Sequence, residues 1–98
     1  MSFKKYQQYP NVKNFKREWA DKTITHAPIY CSVDLRDGNQ ALINPLTVEQ
    51  KLEYFKALVK MGFKQIEVSY PSASDTDFNF TRKLIKEDLV PDDVAIQI

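Results

Sequence analysis

Residues 47–70 read TVEQKLEYFKALVKMGFKQIEVSY, and this stretch predicts a helix followed by a strand. Thr47 is a favourable N-cap, and the Gln50 side chain can bond back to the Thr47 amide. Apolar residues recur at helical spacing, which predicts a buried stripe made of Val48, Leu52, Phe55, Leu58 and Val59. The charged residues are predicted to fall mostly on the other faces: Lys51, Glu53, Lys56 and Lys60. Gly62 stands where a left-handed residue would end the helix.

The residues on either side predict further strands and a second helix. Polar and apolar residues alternate in Gln65–Tyr70, which predicts a strand. Segments rich in apolar and β-branched residues predict two further strands, at Ile29–Leu35 and Val94–Ile98. Ser74, with Asp77 three residues later, predicts the start of the second helix. The apolar face of that helix is expected to consist of Phe78, Leu84, Ile85 and Leu89. The order β-α-β-α-β favours an α/β fold with parallel strands and right-handed crossovers.

Length and composition exclude several classes of protein. Ninety-eight residues limit the chain to one domain, and its 14 basic and 13 acidic side chains exclude a uniformly basic nucleic-acid binder. No run approaches the roughly 18–20 apolar residues that span a bilayer. The segment Met1–Lys5 lacks the apolar core of a secretory signal. Cys31 is the single cysteine, so no internal disulfide can form and nothing suggests an oxidising compartment.

Residues 1–28 are predicted to form an irregular N-terminal arm. Residues 1–27 carry six basic and two acidic side chains, together with aromatic residues such as Phe15 and Trp19. One interpretation is an electrostatic arm for RNA or another anionic surface. The other, and the usual case for a charged run, is an extended segment that lays its aromatic side chains over another surface.

The polar residues Arg36–Gln40 directly follow the first predicted strand. Ligands of parallel α/β folds bind outside the carboxyl ends of the strands, so this corner is a candidate site. Asp37 suits a hard divalent cation, and Arg36 suits a substrate carboxylate or a developing oxyanion. Gly38 would let backbone approach a ligand. An Arg–Asp pair in a capped turn explains the same residues without a ligand, and residue types and spacing leave both interpretations open.

Glu67 is a second candidate on the same rim. It alternates with Ile66 and Val68 and is therefore predicted to point to the opposite face of the sheet. A buried glutamate must be paired, protonated or coupled to a metal, and a nearby lysine is the purely structural partner. Other notable side chains are predicted to be structural or core residues: His26, Cys31, Tyr54–Phe55 and Phe78–Phe80. Gly38 and Gly62 are the only glycines, which excludes a Rossmann fingerprint and a P-loop.

Several stretches resemble the 2-isopropylmalate synthase family: Asp34–Gln40, Glu67–Ser74, Thr76–Phe78, and Pro91–Val94 with Ile96–Gln97. The first stretch alone is typical of the broader group of Claisen-condensing synthases and lyases. The second stretch and the leader Arg17–Trp19 narrow the resemblance to this family. The likeness extends over nearly the whole chain, from about Tyr9 to Ile98.

The resemblance implies a partial TIM (β/α)8 barrel, with its first three strands and two helices in residues 29–98. It also implies an acyltransferase that condenses acetyl-CoA with 2-oxoisovalerate to give 2-isopropylmalate and CoA in leucine biosynthesis. Asp37 then matches a ligand of a divalent metal, which is Mg, Mn or Zn. Arg36 matches the arginine that binds substrate and stabilises charge on its carbonyl oxygen. Gln40 and Glu67 match polar positions at the substrate rim.

The resemblance further implies a homodimeric, cytoplasmic enzyme that acts on small molecules and on neither nucleic acid nor membranes. The family's His-x-His metal pair lies on a later strand and is not found in these 98 residues, so the piece alone is expected to be inactive. Ser69–Tyr70 stands where the family more often has glycine and phenylalanine, and the larger, polar serine is expected to alter the 2-oxo acid pocket slightly. The alternative is a non-catalytic α/β binding or assembly module with open sheet edges.

Overall fold

The computed structural model describes residues 5–7, 9–10 and 22–98, and its regular elements alternate between strand and helix. The elements are β1 (Cys31–Ser32), α1 (Val48–Met61), β2 (Gln65–Glu67), α2 (Asp75–Lys86) and β3 (Ala95–Gln97). A single π-helical turn, Asp34–Gly38, follows β1. The predicted order of elements is confirmed, although each strand is shorter than predicted.

The three strands form one parallel sheet in which sequence neighbours are also spatial neighbours. Ile66 in the central strand pairs with Ser32 on one side and with Ile96 on the other. The two helices contact each other, as expected when consecutive right-handed crossovers place their helices on the same side of a sheet. This sequential winding is typical of a barrel wall, whereas a doubly wound sheet reverses its strand order and carries helices on both faces.

The residues predicted to begin and end the helices do so in the structure. Thr47 and Gln50 form a complete capping box, with the Gln50 amide 3.3 Å from Thr47 Oγ1 and the Thr47 amide 3.0 Å from Gln50 Oε1. Gly62 ends α1 with a φ of 98°, in the left-handed region. The Ser74 hydroxyl accepts the Asp77 amide at 3.2 Å and so caps α2.

The apolar core lies between the helices and one face of the sheet. It consists of Leu35, Phe55, Leu58, Ile66, Val68, Phe80, Leu84 and Val94. Ile66 and Val68 are fully buried in it. Alternation along β2 then turns Glu67 to the opposite face, as predicted. Neither α1 nor α2 combines the length and the apolar character needed to cross a membrane.

Lys51 corrects the predicted polar face of α1. Its side chain is fully buried, its Nζ donates to Asp77 Oδ1 in α2, and the ammonium lies 5.4 Å from the centre of the Phe80 ring. The most deeply buried line of α1 is Lys51, Phe55 and Leu58. Lys51 precedes Phe55 by four residues and so lies on the same face, one turn earlier. A partner carboxylate is required there because an unpaired buried charge is strongly destabilising.

The predicted core role of two aromatic side chains is wrong. Phe78 in α2 is 53% exposed, and Tyr54 in α1 is 43% exposed. In α2 the residues that face inwards are instead Phe80, Thr81 and Leu84. The cap at Ser74 sets this phase: Phe80 and Leu84 lie four residues apart on one face, and Phe78 lies off it.

The predicted length of the first strand is wrong, and the predicted N-terminal arm lies mostly outside the described residues. The first strand was predicted to span Ile29–Leu35, but β1 ends at Ser32 because the chain turns away from the sheet at Val33. Residues 22–30 are exposed and lie outside any strand or helix. The predicted basic and aromatic arm lies mostly outside the described residues, including Phe15 and Trp19.

Replacing Gly62 with valine is expected to destabilise the protein by about 1–2 kcal/mol, because a β-branched residue is strained at positive φ. A Cβ at this position would meet no atom within 4 Å, so the cost comes from the backbone alone. The free energy of unfolding from urea titration measures it. Gly62→Asn is the matched control and is expected to cost less, since asparagine tolerates the left-handed region. Equal losses for both variants would contradict this explanation.

Removing either partner of the buried ion pair is expected to destabilise the fold unequally. Asp77→Ala leaves a fully buried ammonium unpaired and is expected to cost about 3–5 kcal/mol. Lys51→Met is expected to cost less, because the Asp77 carboxylate keeps a hydrogen bond from the Tyr70 amide and is 14% exposed. Urea titration of both variants measures the difference.

The exposed pair Lys64–Asp93 provides the control for this comparison. A hydrogen bond from the Lys64 ammonium, with its charge, lowers the pKa of the Asp93 carboxyl. The pair's stabilisation is therefore present at neutral pH and is lost as the pH falls through that lowered pKa. Both side chains are solvated, so Asp93→Ala is expected to lower the free energy of unfolding at pH 7 by much less than Asp77→Ala does. A loss as large as that of Asp77→Ala would show that burial is not the cause.

Candidate active site

The π-helical turn presents the charged side chains of Arg36 and Asp37 just beyond the carboxyl end of β1. Three amides converge on the carbonyl oxygen of Val33: those of Arg36 at 3.2 Å, Asp37 at 2.9 Å and Gly38 at 3.4 Å. Leu35 is fully buried and anchors the turn in the core. The sequence predicted a polar loop here, and the structure shows a π-helical turn, a feature often found at functional sites.

Arg36 and Glu67 form an ion pair across the ends of two neighbouring strands. Arg36 Nη1 lies 2.5 Å from Glu67 Oε1, with the side chains 36% and 15% exposed. Glu67 is the last residue of β2, which is parallel and adjacent to β1. The structure thus pairs Glu67 with an arginine and not with the lysine considered from the sequence. It also shows that the partner of Arg36 lies 31 residues away and not in its own turn.

The environment keeps the Arg36 guanidinium charged. The hydrogen bond to Glu67 and that carboxylate's negative charge raise the pKa of Arg36, with smaller contributions from Asp37 and Tyr70. Arg36 Nε is buried and has no hydrogen-bond acceptor among the described residues. The hydrogen bond to Glu67 uses Nη1, so other N–H groups of the guanidinium remain as donors for a bound anion or carbonyl oxygen.

Asp37 and Gln40 extend the rim on its exposed side. Both side chains are solvent-exposed, and Asp37 follows Arg36 directly in the turn. Asp37 can supply a carboxylate oxygen to a divalent metal. Among the described residues, no group of three or more histidine, cysteine, aspartate or glutamate side chains is placed to hold a metal. Gln40 makes no hydrogen bond with the Arg36–Glu67 pair.

The supporting roles of three residues were not predicted from the sequence. Asn39 is buried, and its Oδ1 accepts the Leu46 amide at 2.8 Å, which closes the loop between the π-helical turn and α1. The Ser32 hydroxyl donates to Asp34 at 2.7 Å and braces the start of the turn. Asp77 Oδ2 accepts the Tyr70 amide at 3.2 Å and holds the segment after β2. Asparagine and serine beside a turn are the local signal that could have identified the first two.

Ser69 does not line the site. Its side chain is fully buried, and its Oγ lies 2.5 Å from Thr81 Oγ1 in α2. The expected effect of this serine on the 2-oxo acid pocket therefore lacks a structural basis. Its neighbour Tyr70 lies at the rim instead, with its ring centre 5.6 Å from the Arg36 guanidinium carbon.

The other side chains weighed from the sequence have structural contacts. His26 is exposed, with Nδ1 2.9 Å from Thr25 Oγ1. The Cys31 thiol is half-buried and lies 3.5 Å from Gln97 Oε1 on β3. Neither contact places a base or a nucleophile on the Arg36–Glu67 pair.

A cavity of about 510 Å³ opens at the opposite end of the sheet. Its lining includes Pro28 and Tyr30, just before β1, and Met61 and Phe63, just before β2. These residues lie at the amino ends of the strands. Active sites of parallel α/β barrels lie at the carboxyl ends, so the rim around Arg36 is the candidate active site and this cavity is not.

The sequential parallel winding and the charged rim at the carboxyl ends are those of an α/β-barrel wall. Residues 27–98 match the family model described as HMGL-like, which is a TIM-barrel family, so the chain belongs to the HMGL-like family. The predicted fold class, a partial and unclosed α/β barrel with three parallel strands, is thereby confirmed.

Within that family the chain is similar to proteins named 2-isopropylmalate synthase. It is 58% identical to one from Clostridium acetobutylicum over 98 residues, the whole chain and 18% of that protein. It is 56% identical to one from Parafrankia sp. over 98 residues, the whole chain and 17% of that protein. Over 95 residues it is 55% identical to one from Pseudomonas putida, with 97% of the chain and 17% of that protein covered. The predicted resemblance is confirmed, and the chain spans less than a fifth of these relatives' length.

The Arg36–Glu67 pair is expected to contribute more stability than an ordinary surface ion pair. A double-mutant cycle with Arg36→Gln and Glu67→Gln, measured by urea unfolding, gives its coupling energy. The control is the same cycle on Lys83 and Glu87, an i,i+4 pair in which Nζ and Oε1 are 3.8 Å apart. The Arg36–Glu67 coupling is expected to be at least about twice that of the control, because the contact is shorter and less solvated. Equal coupling energies for the two pairs would contradict this expectation.

Proposed function

We propose that the chain forms the first part of the catalytic barrel of a 2-isopropylmalate synthase. In this reaction acetyl-CoA condenses with 2-oxoisovalerate, and thioester hydrolysis gives 2-isopropylmalate and CoA in leucine biosynthesis. The observation that carries the proposal is the Arg36 guanidinium, held by Glu67 where β1 and β2 end, with Asp37 beside it. The names of relatives that are 54–58% identical support the choice of reaction.

Arg36 is proposed as the catalytic and substrate-binding cation. The 2-oxo carbonyl oxygen gains negative charge when the carbanion of the acetyl group adds to its carbon. A guanidinium held at the rim by its hydrogen bond to Glu67 is close to where that charge develops and can stabilise it. Guanidinium N–H groups that do not bond Glu67 supply donors for the oxygen. Glu67 thus acts at the rim by orienting Arg36.

Asp37 is proposed as one ligand of a divalent metal, either Mg, Mn or Zn. The donor set fits in part: an exposed carboxylate oxygen is a suitable ligand for such cations. When bound, the metal would polarise the carbonyl group of the 2-oxo acid. Metal sites commonly need three or more protein ligands, and the described residues provide no such group. We therefore propose that later barrel strands supply the remaining ligands and that the 98 residues alone are inactive.

Gln40 is proposed to contact substrate from the exposed side of the same rim. It follows the π-helical turn at the carboxyl end of β1 and is free to face a ligand. For the whole enzyme we further propose a cytoplasmic homodimer whose partners are the small molecules 2-oxoisovalerate and acetyl-CoA, with no nucleic acid or membrane partner. The balanced charge of the chain supports the proposal that neither nucleic acid nor a membrane is a partner.

A chimeric enzyme tests the proposed function. The chain replaces the matching 98 residues of the Clostridium acetobutylicum synthase, to which it is 58% identical. The chimera is expected to release CoA from acetyl-CoA only when 2-oxoisovalerate is present, as measured by thiol release. Asp37→Asn is expected to lower kcat by about 100-fold or more, because it removes charge from a metal ligand.

Two controls accompany this experiment. Asp34→Asn, in the same turn, is expected to change kcat less than about two-fold, since an asparagine oxygen can still accept the Ser32 hydroxyl. The 98-residue chain alone is expected to release no CoA above background. A folded chimera without turnover would refute the proposed reaction. Turnover by the 98 residues alone would refute the division of the metal site between early and late strands.

A further inference from the structure

Among the described residues, one hydrogen bond holds the Arg36 side chain. Nη1 bonds one oxygen of Glu67, while Nε has no acceptor among the described residues. The side chain is 36% exposed. A long side chain held at one nitrogen retains rotamer freedom, which weakens directional hydrogen bonding to a substrate. A second contact is needed to fix the plane of the guanidinium.

The Tyr70 ring provides that second contact. Its centre lies 5.6 Å from Arg36 Cζ, within the range of an attractive cation–π contact. Tyr70 follows β2 by three residues and is 47% exposed, so it stands at the same rim as Glu67. The guanidinium is therefore contacted by a carboxylate through one nitrogen and by an aromatic ring.

The backbone of Tyr70 is held directly by Asp77 of α2 and, through Asp77, by Lys51 of α1. Its amide donates to Asp77 Oδ2 at 3.2 Å, and its carbonyl oxygen accepts the Ala73 amide at 2.9 Å. The other oxygen of Asp77 is bound by the buried Lys51 of α1. The ring thus projects from a segment whose backbone is anchored to the packed α1–α2 pair.

We propose that Tyr70 is a positioning residue that orients the Arg36 guanidinium toward the carbonyl and carboxylate oxygens of the 2-oxo acid. This inference rests on the proposed function. The contact is made by the ring, so an aromatic residue is required and the phenolic hydroxyl is dispensable. Tyr70 acts on the 2-oxo acid through Arg36 and is not expected to influence the binding of acetyl-CoA.

Steady-state kinetics of the chimera described above test this role. Tyr70→Leu is expected to lower kcat/KM for 2-oxoisovalerate by about five- to thirty-fold, the loss that corresponds to one partly desolvated cation–π contact. The KM for acetyl-CoA is expected to change less than about two-fold. A general loss of structure would instead impair the use of both substrates. Tyr70→Phe keeps the ring and is expected to retain kcat/KM within about two-fold.

Tyr54→Leu is the matched control, since Tyr54 is 43% exposed on α1 and belongs to no part of the rim. It is expected to leave both kinetic constants unchanged. If Tyr70→Leu does not fold, Tyr70→Met replaces it, with the thermal midpoint recorded for each variant. An active chimera in which a folded Tyr70→Leu or Tyr70→Met retains full kcat/KM overturns this inference alone. A parent chimera without turnover overturns the proposed function and the inference with it.

Discussion

The buried ion pair between Lys51 and Asp77 is the interaction on which the rest of the structure depends. One carboxylate oxygen binds the ammonium of α1, and the other accepts the Tyr70 amide after β2. The same carboxylate therefore sets how the helices pack and where the chain runs after the central strand. Apolar contacts tolerate small sliding, but a buried charge does not tolerate the loss of its partner. The pair thus fixes one register between α1 and α2.

The site depends on a second constraint, which is that neighbouring parallel strands end at the same edge. Arg36 and Glu67 are 31 residues apart, yet β1 and β2 bring them into contact because both strands run in the same direction. Strand alternation keeps Ile66 and Val68 in the core while Glu67 faces away from the helices. Very short strands suffice, because Glu67 ends β2 and the π-helical turn after β1 carries Arg36 to the same rim.

The features predicted correctly from the sequence are those controlled by neighbouring residues. Thr47, Ser74 and Gly62 act within one helical turn, so residue type and spacing were enough to predict the helix ends. The burial of Lys51 was not predicted because its partner lies 26 residues away on another helix. Arg36 and Glu67 could each be predicted as candidates, but not as partners, since pairing depends on strand register. The π-helical turn, in which three amides share the Val33 carbonyl oxygen, has no simple residue pattern.

The cavity beside Tyr30 and Met61 lies at the amino ends of the strands, whereas Arg36 and Asp37 lie at the carboxyl ends. The candidate active site and this apolar cavity therefore lie at opposite ends of the same sheet. Substitutions in the apolar lining at the amino ends are therefore expected to leave the candidate active site at the carboxyl ends unchanged. The exposed Met61 side chain is accordingly a suitable point for attaching a spectroscopic label, because a reporter there would stand away from the candidate active site.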